Sequence, residues 1–336
     1  MKFDVVIGNP PYQETRENTS DKPVYNEFMD EAYKIAENVE FITPARFLFD
    51  AGRTPKVWNQ KMLNNEHFKV LSYKANSKEI FSNTDIKGGI IISFFNATKN
   101  FGKIEVFTAF TELNSIMNKL KQTPYTSLST IMYPYSTYSL NQSLFVDFPD
   151  LKKKLSNLKI ITTNIFDLLP NLFFSKQPNN EYCCILGRQN NNRTYKYIHS
   201  KYINVAENYE KYKVIIPKSN GSGALGEVFS TPLIGTPLIG YTQSFLGIGS
   251  LSTESEANAL LKYISSKFAR VLLGILKSTQ DNPPEKWKYV PLQDFTDNSE
   301  IDWSKSIHEI DLQLYKKYGL DENEINFIET HVKEME

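Results

Sequence analysis

Short β-branched runs alternate with stretches of helical spacing at the start of the chain. The run Phe3–Ile7 (FDVVI) ends at a glycine, which predicts a buried strand of a parallel sheet. The polar QETRENTSDKP predicts an exposed loop, and VYNEFMDEAYKIAENV has helical spacing before the strand-like FITPARFLF. A second helix and strand in KVWNQKMLNNEHFKVLSYK and a strand in GGIIISFF follow. This order predicts right-handed crossovers, so we expect an α/β domain with a doubly wound sheet.

The pattern changes after residue 115 to short strand-like segments, Tyr- and Asn-rich loops and clustered glycines. We therefore expect the α/β domain over residues 1–115, a mixed α+β domain over 116–295 and a closing helical pair over 296–336. The tandem TPLIG of residues 231–240 predicts a local turn pair. Helix starts and ends are predicted at three caps: Thr253 with Glu256, Gly319, and Asp321 with Glu324.

Composition and charge narrow the class of protein. The 336 residues include 38 Lys and Arg against 38 Asp and Glu, so there is no protein-wide basic field and a DNA-binding surface has to be a local cleft. Cys183 and Cys184 are adjacent and the four histidines are scattered, which predicts neither a disulfide framework nor a metal site. Because we find no signal peptide and no apolar run of about 18 residues, we expect a cytoplasmic protein without a membrane span.

The segment GNPPY, Gly8–Tyr12, is the strongest candidate for chemistry. It follows the first predicted strand, and open parallel sheets bind ligands at the carboxyl ends of their strands. Gly8 lets the backbone approach a ligand, and the two prolines stiffen the turn. Asn9 offers a side-chain carbonyl, Pro10 a backbone carbonyl and Tyr12 a flat ring. Two fixed acceptors beside a stacking ring suit a planar ligand with an amino group, whose nitrogen becomes nucleophilic as the acceptors draw on its hydrogens.

FDVVIGNPPY resembles the catalytic motif of the adenine-specific DNA methyltransferases. These enzymes transfer a methyl group from S-adenosylmethionine to the exocyclic amine of a flipped-out adenine. The resemblance implies that Asn9, Pro10, Pro11 and Tyr12 are the catalytic residues. Asn9 and Pro10 would hold the amine, and Tyr12 would stack on the base. The resemblance also implies that the first domain is an incomplete methyltransferase sheet.

Later segments keep the order of motifs in this family. FSNTDIKGGIIISFF resembles the segment whose strand places an aromatic residue against the flipped base, a role that we assign to Phe94 with Phe95 as the near alternative. Residues 116–295 look like the target-recognition domain of a restriction-modification methylase, which implies double-stranded DNA as the partner. FITPARFLF is similar to the strand-and-proline motif that follows the catalytic loop. By this resemblance, the cofactor contacts are Gly8, Asn9 and Pro44.

The cofactor-binding part of the family pattern is missing from its usual place. In the family, a glycine-rich loop and an acidic residue precede the NPPY motif, whereas two residues precede the first strand here. Three explanations are open. The chain is part of a longer enzyme, it acts with a separate N-terminal cofactor-binding or nuclease segment, or the order of the motifs is permuted. In a permuted enzyme, two glycine-rich segments are candidates for the cofactor-binding loop: GSGALG at 221–226 and GIGS at 247–250. The first precedes no predicted helix and the second lacks a third glycine, so we favour the truncated or split enzyme.

Five basic residues are candidate contacts to DNA: Lys99, Lys103, Arg188, Arg193 and Lys218. The last three gain support because they lie in polar loops with Asn, Ser and Gly, where base-reading side chains commonly occur. The best local match to a nuclease centre, Asp85–Lys87, lies inside the segment already assigned to base stacking. We therefore expect no cleavage centre in this chain.

Two other functions remain compatible with the sequence. NPPY recognises an amide or amine and little else, so a methyltransferase for another planar nitrogen, such as a protein glutamine, is an enzymatic alternative. A non-catalytic DNA-binding specificity subunit is the second, because the cofactor loop is missing. The long aromatic- and Asn-rich second half favours a large polymeric substrate such as DNA.

Overall fold

The computed structural model describes residues 3–16, 19–82, 86–155, 159–277 and 279–335. The chain separates into two compact units, Met1–Ser115 and Ile116–Glu336. The roles expected of the three sequence domains stay predictions. No helix in the described part of the chain is long and apolar enough to cross a bilayer.

The first unit contains both strands and helices. Its elements are β1 (Phe3–Gly8), β2 (Gln13–Arg16), β3 (Thr19–Pro23), α1 (Tyr25–Ile35), β4 (Ala36–Pro44), α2 (Lys56–Leu63), β5 (Phe68–Lys74), β6 (Ile90–Asn96) and α3 (Thr111–Gln122), which continues past the unit boundary. Short 3-10 helices occupy Arg46–Phe49 and Ser77–Glu79.

The second unit is built from short strands and a C-terminal group of helices. Its elements are β7 (Met132–Tyr133), β8 (Ser139–Leu140), α4 (Gln142–Asp147), α5 (Pro149–Lys154), α6 (Ile165–Leu168), β9 (Tyr182–Gln189), β10 (Asn192–His199), β11 (Ile203–Asn204), β12 (Tyr212–Pro217), β13 (Leu233–Gly235), β14 (Ile239–Tyr241), β15 (Phe245–Leu251), α7 (Glu254–Ser265), α8 (Lys267–Leu273), α9 (Ile307–Lys317) and α10 (Glu322–His331). Short 3-10 helices occupy Leu128–Ile131, Ser200–Tyr202, Glu207–Glu210 and Pro284–Trp287.

The sheet of the first unit has the strand order β1-β4-β6-β5. β1 runs parallel to β4, and β6 runs antiparallel to both β4 and β5. Met29 of α1 and Met62 of α2 belong to one hydrophobic core with Phe95 of β6, so both helices cover the same face. The doubly wound arrangement is therefore not seen among the described residues. The opposite face carries polar side chains such as Glu40 and Lys69, as in a sheet with one solvated face.

Strand β1 forms an edge of this sheet, and one row of its side chains is exposed. Phe3 is 47% exposed, Val5 53% and Ile7 74%. The expectation of a buried strand is wrong, because β1 pairs with β4 alone among the described strands and this row faces away from the helices. An uncovered apolar row on a strand edge is typical of an interaction surface.

The polar stretch after Tyr12 also differs from its prediction. In place of an exposed loop, β2 and β3 pair antiparallel, with Gln13 opposite Pro23 and Glu14 opposite Lys22. Backbone hydrogen bonds hold such a hairpin together without an apolar face. Since strand prediction depends on alternating apolar residues, the sequence pattern does not reveal this hairpin.

In the second unit, the two TPLIG copies lie in different sheets. The unit contains a three-stranded sheet of order β10-β9-β14, a four-stranded sheet of order β13-β12-β15-β7 and the pair β11-β8. β13 of the first copy pairs antiparallel with β12, whereas β14 of the second copy pairs parallel with β9. The predicted local turn pair is therefore wrong. Strand partners are chosen by tertiary packing, which a short repeat cannot encode.

The predicted helix caps in the C-terminal region are confirmed. Thr253 and Glu256 form the capping box that starts α7, and Asp321 and Glu324 form the one that starts α10. Gly319 follows α9 with a φ of +61°, the left-handed conformation that commonly ends a helix.

Candidate active site

The NPPY loop, residues 9–12, leaves the sheet at the carboxyl end of β1. Gly8, the last residue of β1, pairs with Phe41, and β4 continues from there to Pro44. Pro44 in turn pairs with Ile90, the first residue of β6. The loop therefore lies at the edge of the sheet where β1 and β4 end and β6 begins.

The NPPY loop is anchored at its base and open at its tip. Asn9 and Pro11 are exposed, Pro10 is buried, and the Tyr12 ring is half-buried. The Tyr12 carbonyl oxygen accepts a hydrogen bond from the Val24 N–H at 3.2 Å, which closes the β2–β3 hairpin behind the loop. This arrangement leaves the Asn9 amide exposed to a ligand.

The Tyr12 hydroxyl is an unusual polar group. It is shielded from solvent and has no hydrogen-bond partner of normal geometry among the described residues. Burial raises the pKa of Tyr12, and the nearby Asn9 side chain partly opposes this rise. The Asn9 side chain and the Tyr12 hydroxyl are therefore close neighbours within the NPPY loop.

A second loop, described over residues 75–82 and 86–89, lies at the same edge of the sheet. It joins Lys74, the last residue of β5, to Ile90 of β6, and these two residues pair with each other. Gly89 has a φ of +79°, and a Cβ there would lie 2.5 Å from the Lys74 carbonyl oxygen, so only glycine fits this turn. The Gly89 carbonyl accepts a 3.0 Å hydrogen bond from the Ala45 N–H, which fixes the loop to the residue after β4.

Strand alternation separates Phe94 from Phe95. Phe95 lies in the core and stacks on Tyr33, with a distance of 4.1 Å between ring centroids. Phe94 lies on the opposite face, where its ring centroid is 5.5 Å from the Lys69 ammonium and 5.9 Å from the centroid of Phe101. Phe94 is therefore the one of the two that can meet a ligand, as the expected alternation requires.

Phe94 nevertheless lies away from the end of the sheet where the NPPY loop begins. It pairs with Glu40, which pairs with Ile7, so it is level with the residue before Gly8 and two strands away. Phe81, by contrast, is a half-buried ring in the described part of the loop between β5 and β6. Phe81 was not among the residues predicted from the sequence, because the stacking role was assigned to a ring on a strand. The available signal was an aromatic residue shortly before a Gly-Gly turn.

Lys99 and Lys103 lie at the opposite end of the sheet. β6 ends at Asn96, which pairs with Asn38 near the start of β4, and both lysines follow that end. Lys103 forms an ion pair with Glu66, with 3.9 Å between nitrogen and oxygen. The structure does not bring these lysines to the NPPY loop, and their contact with DNA stays a prediction.

The loop GSGALG surrounds a carboxylate of the chain itself. The Glu227 carboxylate accepts hydrogen bonds from the N–H of Ser222 at 2.7 Å and of Gly223 at 3.1 Å. The same carboxylate forms an ion pair with the buried ammonium group of Lys277. A Cβ at Gly221 would lie 2.1 Å from Glu227 Oε2, so the loop is already filled. This contact opposes a cofactor role for residues 221–226.

The second glycine-rich segment, GIGS, lies within β15 and not in a loop. A Cβ at Gly247 would lie 2.8 Å from the Tyr241 hydroxyl, and one at Gly249 would lie 3.0 Å from Leu251. These glycines make room for side-chain packing. Asp85 of the nuclease match lies outside the described residues. No cluster of three His, Cys, Asp or Glu side chains suited to a metal ion occurs in the described part of the chain.

Three of the predicted DNA contacts converge in the second unit. Arg188 and Arg193 pair across β9 and β10, and each guanidinium carbon lies 5.9 Å from the centroid of the Phe245 ring. Lys218 follows Pro217, which pairs with Phe245. Spacing along the sequence does not reveal this cluster, because it depends on strand pairing.

Comparison with known proteins finds similarity to restriction-modification methylases. Residues 1–81 match the family model described as Eco57I restriction-modification methylase. The chain resembles the restriction-modification adenine methylases. A 118-residue segment is 32% identical to an "uncharacterized adenine-specific methylase" of Mycoplasma pneumoniae (strain ATCC 29342 / M129 / Subtype 1). These matches confirm the resemblance of this chain to the restriction-modification adenine methylases.

The matches to these methylases are partial in length. The segment similar to the Mycoplasma pneumoniae protein covers 33% of this chain and 28% of that relative. Among solved structures, the alignment with the type IIG restriction endonuclease BpuSI covers 94% of this chain and 48% of BpuSI. The identity is 11% and the TM-score is 0.32. The alignment with the type IIL restriction-modification enzyme MmeI, solved in complex with DNA, covers 98% of this chain and 56% of MmeI. The identity is 9% and the TM-score is 0.33.

Proposed function

We propose that the chain is the catalytic and DNA-recognising part of an S-adenosylmethionine-dependent, adenine-specific DNA methyltransferase of a restriction-modification system. The observation that carries this proposal is the position of the NPPY loop. It lies at the carboxyl end of β1 with Asn9 exposed and the Tyr12 ring beside it. The family match over residues 1–81 supports the same chemistry.

In this proposal the NPPY loop acts on the adenine amine. The Asn9 side-chain oxygen and the Pro10 carbonyl oxygen accept the two amine N–H groups, while the Tyr12 ring stacks on the flipped base. Both acceptors are strongest when the nitrogen is pyramidal, so they favour the transition state over the ground state. The nitrogen would form a bond to the methyl carbon as the methyl–sulfur bond of S-adenosylmethionine breaks, with S-adenosylhomocysteine as the leaving group, and it would release one proton to solvent. Phe81 or Phe94 supplies the second stacking face.

The described residues fit one side of a cofactor site. Gly8, Asn9 and Pro44 lie at the ends of β1 and β4, where the resemblance places cofactor contacts. Bound S-adenosylmethionine supplies an electrophilic methyl group. Neither glycine-rich loop of the chain is available to hold it, because Glu227 fills the first and β15 contains the second.

We infer that a separate cofactor-binding segment packs on the open side of β1. The exposed row of Phe3, Val5 and Ile7 ends at the NPPY loop, so a strand added there would deliver a cofactor loop beside Asn9. Strand addition satisfies the free backbone groups of an edge and buries its apolar side chains. The segment can belong to the same polypeptide or to another.

Calorimetric titration with S-adenosylmethionine tests the split site. We expect the 336-residue chain to melt cooperatively yet show no stoichiometric binding, and to bind once the cofactor-binding segment is supplied. Stoichiometric binding by the chain alone would contradict the inference that the cofactor site is split.

Transfer of a labelled methyl group to unmethylated bacteriophage DNA tests the reaction. In the cofactor-competent enzyme, we expect the label in N6-methyladenine, and we expect Asn9→Ala to abolish transfer while leaving DNA binding intact. Label in a protein glutamine would identify the other planar-nitrogen reaction. Cofactor binding without any transfer would indicate a non-catalytic specificity subunit.

A further inference from the structure

The β9–β10 hairpin places two arginines face to face. Arg188 pairs directly with Arg193, and Asn190 and Asn191 form the turn between the strands. These asparagines have φ values of +50° and +61°. A two-residue hairpin turn of this type needs positive φ at both positions, which Asn tolerates better than most residues. The sequence RQNNNR therefore fixes the register that brings the arginines together.

The arginine pair destabilises the hairpin, and no carboxylate among the described residues neutralises its charge. Like charges directly opposite one another destabilise an antiparallel pair. Burial lowers the pKa of Arg193, and the charge of Arg188 lowers it further. Neither guanidinium forms an ion pair with a carboxylate of the described residues. The neighbouring Asp167 instead accepts a 2.6 Å hydrogen bond from the Gln189 side chain. A binding partner with negative charge would relieve the repulsion.

Both guanidinium groups are held in place. Each guanidinium carbon lies 5.9 Å from the centroid of Phe245, a fully buried ring at the start of β15. Arg193 Nη2 also donates to the carbonyl oxygens of Ser230, at 3.3 Å, and Thr231. An arginine fixed on an aromatic ring loses little side-chain entropy when it binds an anion.

Lys218 adds a third positive charge, and its backbone lies next to the same ring. Its backbone N–H donates to the Ser244 carbonyl oxygen at 2.9 Å, next to Phe245. Its ammonium group lies 4.3 Å from the centroid of Tyr135. Like the arginines, Lys218 has no carboxylate partner among the described residues. The nearby Asp281 accepts a 2.6 Å hydrogen bond from the Ser219 hydroxyl.

We propose that Arg188, Arg193 and Lys218 hold backbone phosphates of duplex DNA. The proposal rests on the proposed function, in which duplex DNA is the substrate, and adds the surface that holds it. The chain has no net charge, so its attraction for DNA has to come from local clusters of this kind. Phosphate contacts fix the position of a duplex without reading its sequence. The cluster therefore positions DNA whatever its recognition sequence is.

Salt-dependent binding of the full chain to two duplexes of unrelated sequence tests the proposal. At about 0.1 M salt, we expect R188Q/R193Q to weaken binding roughly tenfold for each lost contact, equally for both duplexes. The slope of log affinity against log salt should fall by about 2. R188K/R193K keeps both charges and should recover most of the slope.

K152Q/K153Q is the matched control for this experiment, because it removes two charges from exposed positions of α5. An equal loss in the control, or an unchanged salt slope in R188Q/R193Q, would overturn the proposal. A loss confined to one duplex would show base reading in place of phosphate contact. Displacement of DNA by inorganic phosphate at an equal phosphate concentration would show a small-anion site. Thermal melting shows whether each variant is folded.

The outcomes separate this proposal from the proposed function. Arginine-dependent DNA binding without methyl transfer in the cofactor-competent enzyme would count against the function alone. Normal transfer by R188Q/R193Q, with an unchanged KM for DNA, would count against the phosphate contacts alone.

Discussion

Glu227 forms an ion pair with Lys277, and the same carboxylate fills the glycine-rich loop of residues 221–226. The Lys277 side chain is almost fully buried, whereas that of Glu227 keeps a small exposed area. A loop that resembles a cofactor loop in sequence is therefore occupied by an internal anion. The pair joins this loop to the segment after α8.

We expect Glu227→Gln to lower the free energy of unfolding by about 3 kcal/mol at pH 7, because it leaves the Lys277 ammonium buried without a partner. Burial raises the pKa of Glu227, but hydrogen bonds from Lys277 and two backbone N–H groups outweigh this effect and hold the pKa below its usual range. The stabilisation is then present at neutral pH and is lost as the pH falls through the folded-state pKa. Urea denaturation of Glu227→Gln and of the exposed control Glu285→Gln at pH 7 measures it. Equal stability of the two variants would contradict the prediction.

Asp311 should make the protein less stable as the pH rises from about 4 to 6. It is 1% exposed, and burial raises its pKa to about 6 despite hydrogen bonds from the N–H groups of Lys267 and Phe268. Glu329 raises this pKa and Arg270 lowers it. The folded state then holds a proton that the unfolded chain has released, so the free energy of unfolding falls by about 3 kcal/mol over this interval.

Chemical denaturation at several pH values measures the contribution of Asp311. We expect the fall in the free energy of unfolding with pH that is due to Asp311 to disappear in Asp311→Asn. It should remain in Asp297→Asn, which alters an exposed carboxyl. The same slope in all three proteins would show that Asp311 titrates normally.

The Asn190–Asn191 turn predicts opposite effects for two substitutions. Asn191→Gly should keep or raise the melting temperature, because glycine adopts a φ of +61° without strain. Asn191→Val should cost about 1–2 kcal/mol, since a β-branched side chain disfavours this conformation. Asn191→Val should also weaken DNA binding by displacing Arg193 from Arg188. Equal behaviour of the two variants in thermal melting and DNA binding would refute the turn assignment.

Phe81 and Phe94 compete for the second stacking role. If Phe81 stacks on the base, Phe81→Ala should reduce methyl transfer by roughly 5- to 150-fold, the range for losing about 1–3 kcal/mol of base stacking, and Phe81→Tyr should restore it. Phe94→Ala should then have the smaller effect, because Phe94 lies back from the sheet edge. Single-turnover rates of the cofactor-competent enzyme measure both variants. The reverse order would return the role to Phe94.

The open edge of β1 predicts a loss of assembly without a loss of folding. Val5→Lys should leave the melting temperature of the chain nearly unchanged, because Val5 is 53% exposed. It should abolish S-adenosylmethionine binding in the enzyme that contains the cofactor-binding segment. Leu71→Lys is the control, since Leu71 is 48% exposed on β5 at the other edge of the sheet. Normal cofactor binding by Val5→Lys would contradict the inference that the cofactor-binding segment packs on β1.

Local features of the sequence were sufficient for much of the fold. The helices α1 and α2, the strands β1, β4, β5 and β6, and the caps at Thr253, Gly319 and Asp321 follow from spacing and capping chemistry. The NPPY motif at the end of a strand was also visible in the sequence. These features depend on residues close together in the chain, where apolar periodicity and caps act directly.

Other features were decided by the tertiary structure. The edge position of β1, the separate sheets of the TPLIG copies and the filling of the loop 221–226 by Glu227 with Lys277 depend on distant segments. Sequence alone supplied the residue types but placed Arg188 and Arg193 in a polar loop, whereas they lie on the paired strands β9 and β10. Strand pairing and burial then set them around Phe245, because contacts between distant segments are selected by packing of the whole unit.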